Sequence, residues 1–217
     1  MTESIEASVD LKTLERDERL ARMRHSAAHV LAEAMVGLIP EAELGFGPPT
    51  DVGFYYDFRL PRALTNDDLL VLERNMKRSI KRNHHFLMER IERDEASTYW
   101  GNQPFKLELL SELEDENITQ CSHSDFVDLC RGGHVNHTGE IPPFKLISIA
   151  GAYWKGDENN PQMQRVYGAL FETREELEEW EKQREEAQRR DHRKLGRELE
   201  LFTFSEDIGQ GLSLIHI

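Results

Sequence analysis

The run from Leu20 to Ile39 constrains this chain more than any other stretch. Leu20, Met23, Ala27, Val30, Leu31 and Ala34 recur at helical spacing, and Met35 and Leu38 extend the same stripe. On a wheel of about 100° per residue, His25 and His29 fall opposite the stripe, beside Ala32 and Val36. A solvated face would carry Lys and Glu there. Small apolar neighbours instead predict that the two histidines look into a cleft. Being four apart they stack on one face, with Cβ atoms about 6 Å apart.

A second stretch, "DFVDLCRGGHV", reads as a strand followed by a turn. Asp128 and Cys130, two apart, project from the same face of a strand. His134 follows past a bend that Gly132 and Gly133 permit. Two imidazoles from a helix, with a thiol and a third imidazole from a strand and turn, make a ligand or catalytic set. His25, His29, Cys130 and His134 can hold Zn²⁺ tetrahedrally. Equally, they can work without metal, a histidine or a lysine acting as base toward a hydrolytic water. The segment between the two helical histidines is Ser26, Ala27, Ala28, so the glutamate of an HExxH metallopeptidase is missing. No P-loop and no GxGxxG fingerprint occurs.

The remaining pattern predicts an α+β fold, a mainly antiparallel sheet packed with helices and followed by a long linker helix. "ELGFGPPTDVGFYYDF" reads as a hairpin whose Tyr55 and Tyr56 point to opposite faces, so one of them at most lines a given cleft. Thr65 caps a helix to about Arg82 whose outer side collects Arg74, Lys77, Arg78, Lys81 and Arg82, a solvated face or a phosphate-contacting one. "FLMERIER" alternates like a strand, and short helices follow at 94–100 and 104–113. Lys106 stands between Phe105 and Leu107, where a lysine either snorkels or sits desolvated near a site. If "ITQCSHSDFVDLC" turns at His123 and Ser124, Cys121 faces Phe126 and no disulfide to Cys130 is favoured. Two further strands are expected at 144–154 and 164–171, with bulges or close backbone approach at Gly151 and Gly168. Thr173 caps a final helix, acidic from Glu175 to Glu186 and basic from Arg189 to Arg197. Such a helix, polar nearly all round, commonly bridges domains.

With 27 Lys and Arg against 41 Asp and Glu, the formal charge of −14 argues against nucleic-acid binding by bulk electrostatics, though not by a local basic surface. No apolar run approaches the roughly 18 residues of a membrane span, and no secretory signal is visible. The chain reads as soluble and cytoplasmic. The last six residues, "LSLIHI", back-translate to CTG TCT CTT ATA CAC ATC, the end of a transposon used to prepare sequencing libraries. Residues 212–217 are therefore expected to be adapter sequence, with the natural chain continuing past Gly211.

Taken in order, "RHSAAHVLAEAMVGLIPEAELGFGPPTDVGFYYDF", "DFVDLCRGGHV", "AGAYWKGDENNPQMQRVYG" and "RRDHRKLGRELELF" resemble the editing region of bacterial threonyl-tRNA synthetases, a module shared with alanyl-tRNA synthetases. The likeness runs from about Arg22 to Phe202. It implies a charged leader at 1–21, an aminoacyl-tRNA editing domain at 22–172, a linker helix at 173–202 and the start of a ligase catalytic domain at 203–211. It also implies hydrolysis of serine wrongly esterified to threonine tRNA. His25, with Lys106 nearby, would activate the water. Cys130, His29 and His134 would position substrate and terminal ribose, Asp128 would bind the seryl amine or hydroxyl, and Tyr56 matches the second tyrosine of "GFYYD".

The resemblance further implies the acceptor end of tRNA(Thr) and a catalytic domain of the same parent chain as partners, and a homodimeric parent with no membrane association. ATP, Mg and Zn would belong to that catalytic domain. Metal in the His/Cys set is open, because the alanyl type holds zinc there and the threonyl type works without it. Gly133 replaces the family's usual proline, which is expected to loosen the turn holding His134. His137 replaces a small polar residue, and about twenty residues stand where a ubiquitin-like domain commonly precedes the module. A free-standing trans-editing deacylase and a zinc-structured RNA-binding adaptor are the alternative readings.

Overall fold

The computed structural model describes residue 5 and residues 7–115, 118–190, 202–205 and 209–213. The chain divides into two units, Met1–Thr173 and Arg174–Ile217. The first is α+β, with every strand pairing antiparallel. Among the described residues its strands form two sheets instead of one.

In the first sheet the order is β1 (Glu43–Leu44), β2 (Gly53–Arg59), β7 (Gln162–Leu170), β6 (Phe144–Tyr153). The second runs β3 (Leu87–Arg90), β4 (Thr119–His123), β5 (Phe126–Leu129). Helix α1 (Arg16–Leu38) packs on β2 and on α2 (Asn66–Arg82), so both of its faces are covered. Ala27, Ala28, Leu31, Ala32 and Met35 are wholly buried, which is why a helix with so mixed a composition persists. Buried Arg24 donates to the carbonyls of Leu170 and Thr50, tying α1 to the ends of the sheet. Helix α2 opens with a capping box between Thr65 and Asp68 and closes on Asn83 at φ 56°. Two short helices, α3 (Arg93–Tyr99) and α4 (Pro104–Ser111), follow β3.

Two local expectations change, and one left open is decided. The second hairpin turns at Ser124 and Asp125, one residue later than the spacing suggested, with Ser124 at φ 53°. Cys121 therefore faces Asp128, not Phe126, and no disulfide joins Cys121 to Cys130. In β6 the irregularity falls between Leu146 and Ser148 and not at Gly151, because the sequence offers no cue to a register slip inside an apolar run. Lys106 does not snorkel: it is 1% exposed.

Close approach governs the central sheet. A Cβ on Gly53 would lie 1.9 Å from the carbonyl oxygen of Gly168, and one on Gly168 would lie 2.4 Å from the Phe54 ring. Neither backbone oxygen nor buried ring can yield cheaply. Gly53→Ala is expected to lower stability by about 1 to 3 kcal/mol or more, read as a reduced urea midpoint at unchanged slope. A midpoint equal to that of the unsubstituted protein would show that β2 and β7 are not packed this closely.

In the second unit, α5 (Arg174–Arg189) carries Glu175 and Glu176 in its first turn, and Glu185 and Glu186 pair with Arg189 and Arg190 one turn on. The basic segment beyond Arg190 lies outside the described residues. A hairpin of β8 (Phe202–Ser205) and β9 (Gly209–Ser213) follows. Residues 214–217, most of the adapter-like tail, are also outside the described set.

Candidate functional site

Helix α1, strand β5 and helix α4 converge on a cleft of about 480 Å³ whose wall includes His25, His29, Lys106, Asp128 and Cys130. Each element delivers its residue by simple geometry. The one-turn spacing on α1 brings the rings of His25 and His29 to 4.9 Å, edge to face. Alternation along β5 turns Phe126 and Asp128 inward, and Cys130 continues that face just beyond the strand. Thr119 holds it there, accepting from the Cys130 amide at its main-chain oxygen and donating from its hydroxyl to the Cys130 carbonyl.

The chain then bends through Gly132 at φ 90° and Gly133 at φ 83°. Proline cannot adopt that φ, so a glycine here is what this turn requires. Despite it His134 is firmly held: its ring stacks on Phe86 at 4.9 Å and on His25 at 4.3 Å, and its Nε2 lies 3.1 Å from the Cys130 sulfur. His25 Nε2 is 3.6 Å from the same sulfur, and the Gly132 amide donates to it at 3.3 Å.

The opposite wall is a charged relay. Lys106 forms an ion pair with Asp128 and donates to the Tyr56 hydroxyl at 3.0 Å, while that hydroxyl donates to Asp128 Oδ2 at 2.6 Å. All three side chains are at most 2% exposed. Burial, and then the Asp128 carboxylate, push the Tyr56 phenol well above its ordinary range, so it remains a proton donor. His29 Nδ1 is 3.8 Å from Asp128 Oδ2 and has no hydrogen-bond partner among the described residues. Burial, and then the His134 and His25 rings, hold His29 well below the usual imidazole range, so it is neutral.

The seven residues singled out in the sequence are thus brought together, but not on one surface. Tyr56 lies behind Asp128 and Lys106, and His134 lies behind Cys130, opening onto a second cleft beside Phe86 and His137. Lys106 belongs to Asp128 and Tyr56, with no contact to His25 recorded among the described residues. Sequence reasoning missed Ser26. Its hydroxyl accepts from the Val135 amide at 3.1 Å and meets His134 Nδ1 at 3.1 Å. The only signal was a hydroxyl between His25 and Ala27 on a run of small residues, and its partner is more than a hundred positions away.

His25, His29, Cys130 and His134 form a group that could hold a metal ion, with donor atoms all within 4.8 Å of one another. Bond lengths of about 2.0 to 2.3 Å around tetrahedral zinc place neighbouring donors about 3.3 to 3.7 Å apart. The sulfur lies 3.1 and 3.6 Å from two imidazole nitrogens, the first just under that range and the second within it, while donors spread over up to 4.8 Å would have to close by about 1 Å to hold an ion.

Residues 118–167 match the family model described as the Threonyl and Alanyl tRNA synthetase second additional domain. That segment carries Asp128, Cys130 and His134. The chain is similar to threonine–tRNA ligases over most of its length, and residues 118–167 to the second additional domain. It is 53% identical over 190 residues to the "Threonine--tRNA ligase" of Dehalococcoides mccartyi (strain BAV1), covering 88% of this chain and 33% of that relative. Identity to the enzyme of the same name from Borrelia turicatae is 45% over 207 residues, 94% of this chain and 35% of the relative. For Enterococcus faecalis it is 45% over 209 residues, 95% and 32%. The chain spans about a third of the length of the curated relatives it matches.

Proposed function

We propose that the cleft hydrolyses the ester of seryl-tRNA(Thr), as the editing part of a threonine–tRNA ligase that charges tRNA(Thr) using ATP. The observation that carries this reading is the pairing, across one hollow, of an accessible imidazole with a fully buried Lys106–Asp128 ion pair. His25 takes a proton from water, the hydroxide adds to the ester carbonyl, and the carbonyl–ribose oxygen bond breaks. The proton returns to the ribose oxygen, leaving free serine and a tRNA with its terminal hydroxyl restored. Lys106 has three donors, two of them engaged by Asp128 and Tyr56; the third serves the developing oxyanion. Oxygen atoms within hydrogen-bond reach of both His29 Nδ1 and Asp128 Oδ2 fit the substrate's own hydroxyl, and the Asp128 carboxylate attracts its ammonium.

Zinc held by the four-residue group would be a closed structural site unless one ligand gave way to water. Tyr56 and His134 act from behind, on Asp128 and Cys130. A synthetic pocket shaped for threonine gains only about 1 to 3 kcal/mol against serine from the missing methyl, so a second, hydrolytic pocket has work to do. That 88% to 95% of the chain aligns within ligases, through α5, favours a ligase part over a free-standing deacylase.

Binding tests this without chemistry. A non-hydrolysable amide analogue of serylated adenosine is expected to bind the chain and shift the ring resonances of His25 and His29, with the threonyl analogue at least about tenfold weaker. Equal binding of both, or shifts confined to the basic face of α2, would contradict it.

A further inference from the structure

We infer that Ser26 sets the tautomer of His134: its hydroxyl donates to Nδ1, so the ring carries its proton on Nε2 and donates to the Cys130 sulfur. Ser26 is wholly buried. A hydroxyl has one hydrogen and two lone pairs, and the Val135 amide already occupies one lone pair at 3.1 Å. His134 Nδ1, also at 3.1 Å, is the one acceptor recorded within its reach among the described residues. Were the ring proton on Nδ1 instead, Ser26 would accept twice and its own hydrogen would point at nothing, in a place water does not reach. Phe86 stacks on the ring at an interplanar angle of 6° and fixes its plane, and turning the ring over within that plane would take Nδ1 from Ser26 and Nε2 from the Cys130 sulfur.

Two consequences follow for the cleft. Cys130 Sγ becomes the acceptor of two fixed donors, the Gly132 amide at 3.3 Å and His134 Nε2–H at 3.1 Å. A metal ion reaching for His134 Nε2 must also displace a proton onto Nδ1 and strand the Ser26 hydrogen. Ser26 is thus a positioning residue that biases the His/Cys group toward hydrogen bonding and away from ligation. The inference deepens the hydrolytic reading and rests on it for any effect on rate, but the tautomer itself is measured without substrate.

Nitrogen-15 spectra of the full chain labelled in histidine test it directly. His134 is expected to show a protonated Nε2 and a bare Nδ1. In Ser26→Ala the preference should weaken, and zinc affinity, measured with a chromophoric competitor, should rise about tenfold. A protonated Nδ1 in the unsubstituted protein overturns the inference, even if the variant fails to fold. So does a zinc affinity that is unchanged or lower in Ser26→Ala, since a lower affinity would mean that Ser26 accepts from Nδ1–H and supports the metal-bound ring. Absence of hydrolysis by the unsubstituted protein, with the Nε2–H tautomer present, would count against the hydrolytic reading alone.

Discussion

Replacing Asp128 with alanine is expected to cost about 3 to 5 kcal/mol of stability and to abolish hydrolysis. Asp128 is 2% exposed and Lys106 1% exposed, so neither charge has water to fall back on. Each depends on the other, and Tyr56 depends on both. Removing the carboxylate strands an ammonium in the interior, which is far more costly than the net worth of the pair. For a unit of this size the thermal midpoint should fall by about 10 °C. The double variant Lys106→Met with Asp128→Leu separates the two contributions. It replaces both charges by apolar groups of similar volume and should recover most of the stability while recovering none of the hydrolysis. A midpoint for Asp128→Ala within about 2 °C of the unsubstituted protein would mean that the pair is solvated in solution.

His25→Ala is expected to do the opposite, removing activity and sparing the fold. His25 is the half-buried member of the set and lines the open cleft, whereas His29 and His134 are almost wholly buried. It therefore meets water and substrate, and contributes less packing. Loss of a general base should slow single-turnover deacylation by about 10² to 10⁴-fold, against a stability change of about 1 kcal/mol. His29→Ala removes a ring from the interior and should lose stability as well as rate. A His25→Ala protein that deacylates at an unchanged rate would move the base to another group in the cleft.

How much of this was legible before any coordinates turns on whether a residue's partner is near it in sequence. The capping box at Thr65 and Asp68 is a local code, and α2 runs from Asn66 to Arg82 as that code implies. The spacing of His25 and His29 is equally local, and their shared face follows from helical pitch alone. Lys106 is different: Phe105, Lys106 and Leu107 look alike whether the lysine snorkels or is buried, and the carboxylate that decides it lies in another element. The hairpin at Ser124 and Asp125 escaped because Ser124 adopts a positive φ that serine does not advertise. The two-sheet arrangement escaped for a related reason, since strand patterns specify which face is buried but not which sheet a strand joins. Ser26 was invisible because its role depends on the Val135 amide returning to α1 after the whole first sheet edge and second hairpin have been laid down.

The most direct measurement is the rate at which the purified chain releases amino acid from tRNA(Thr) charged with serine, compared in the same experiment with tRNA(Thr) charged with threonine. Release of serine well above the spontaneous rate, with the threonyl ester left at its spontaneous rate, is the predicted result. Equal release of both amino acids, or no release of serine by a chain shown to be folded and to bind the tRNA, would contradict the hydrolytic reading of this cleft.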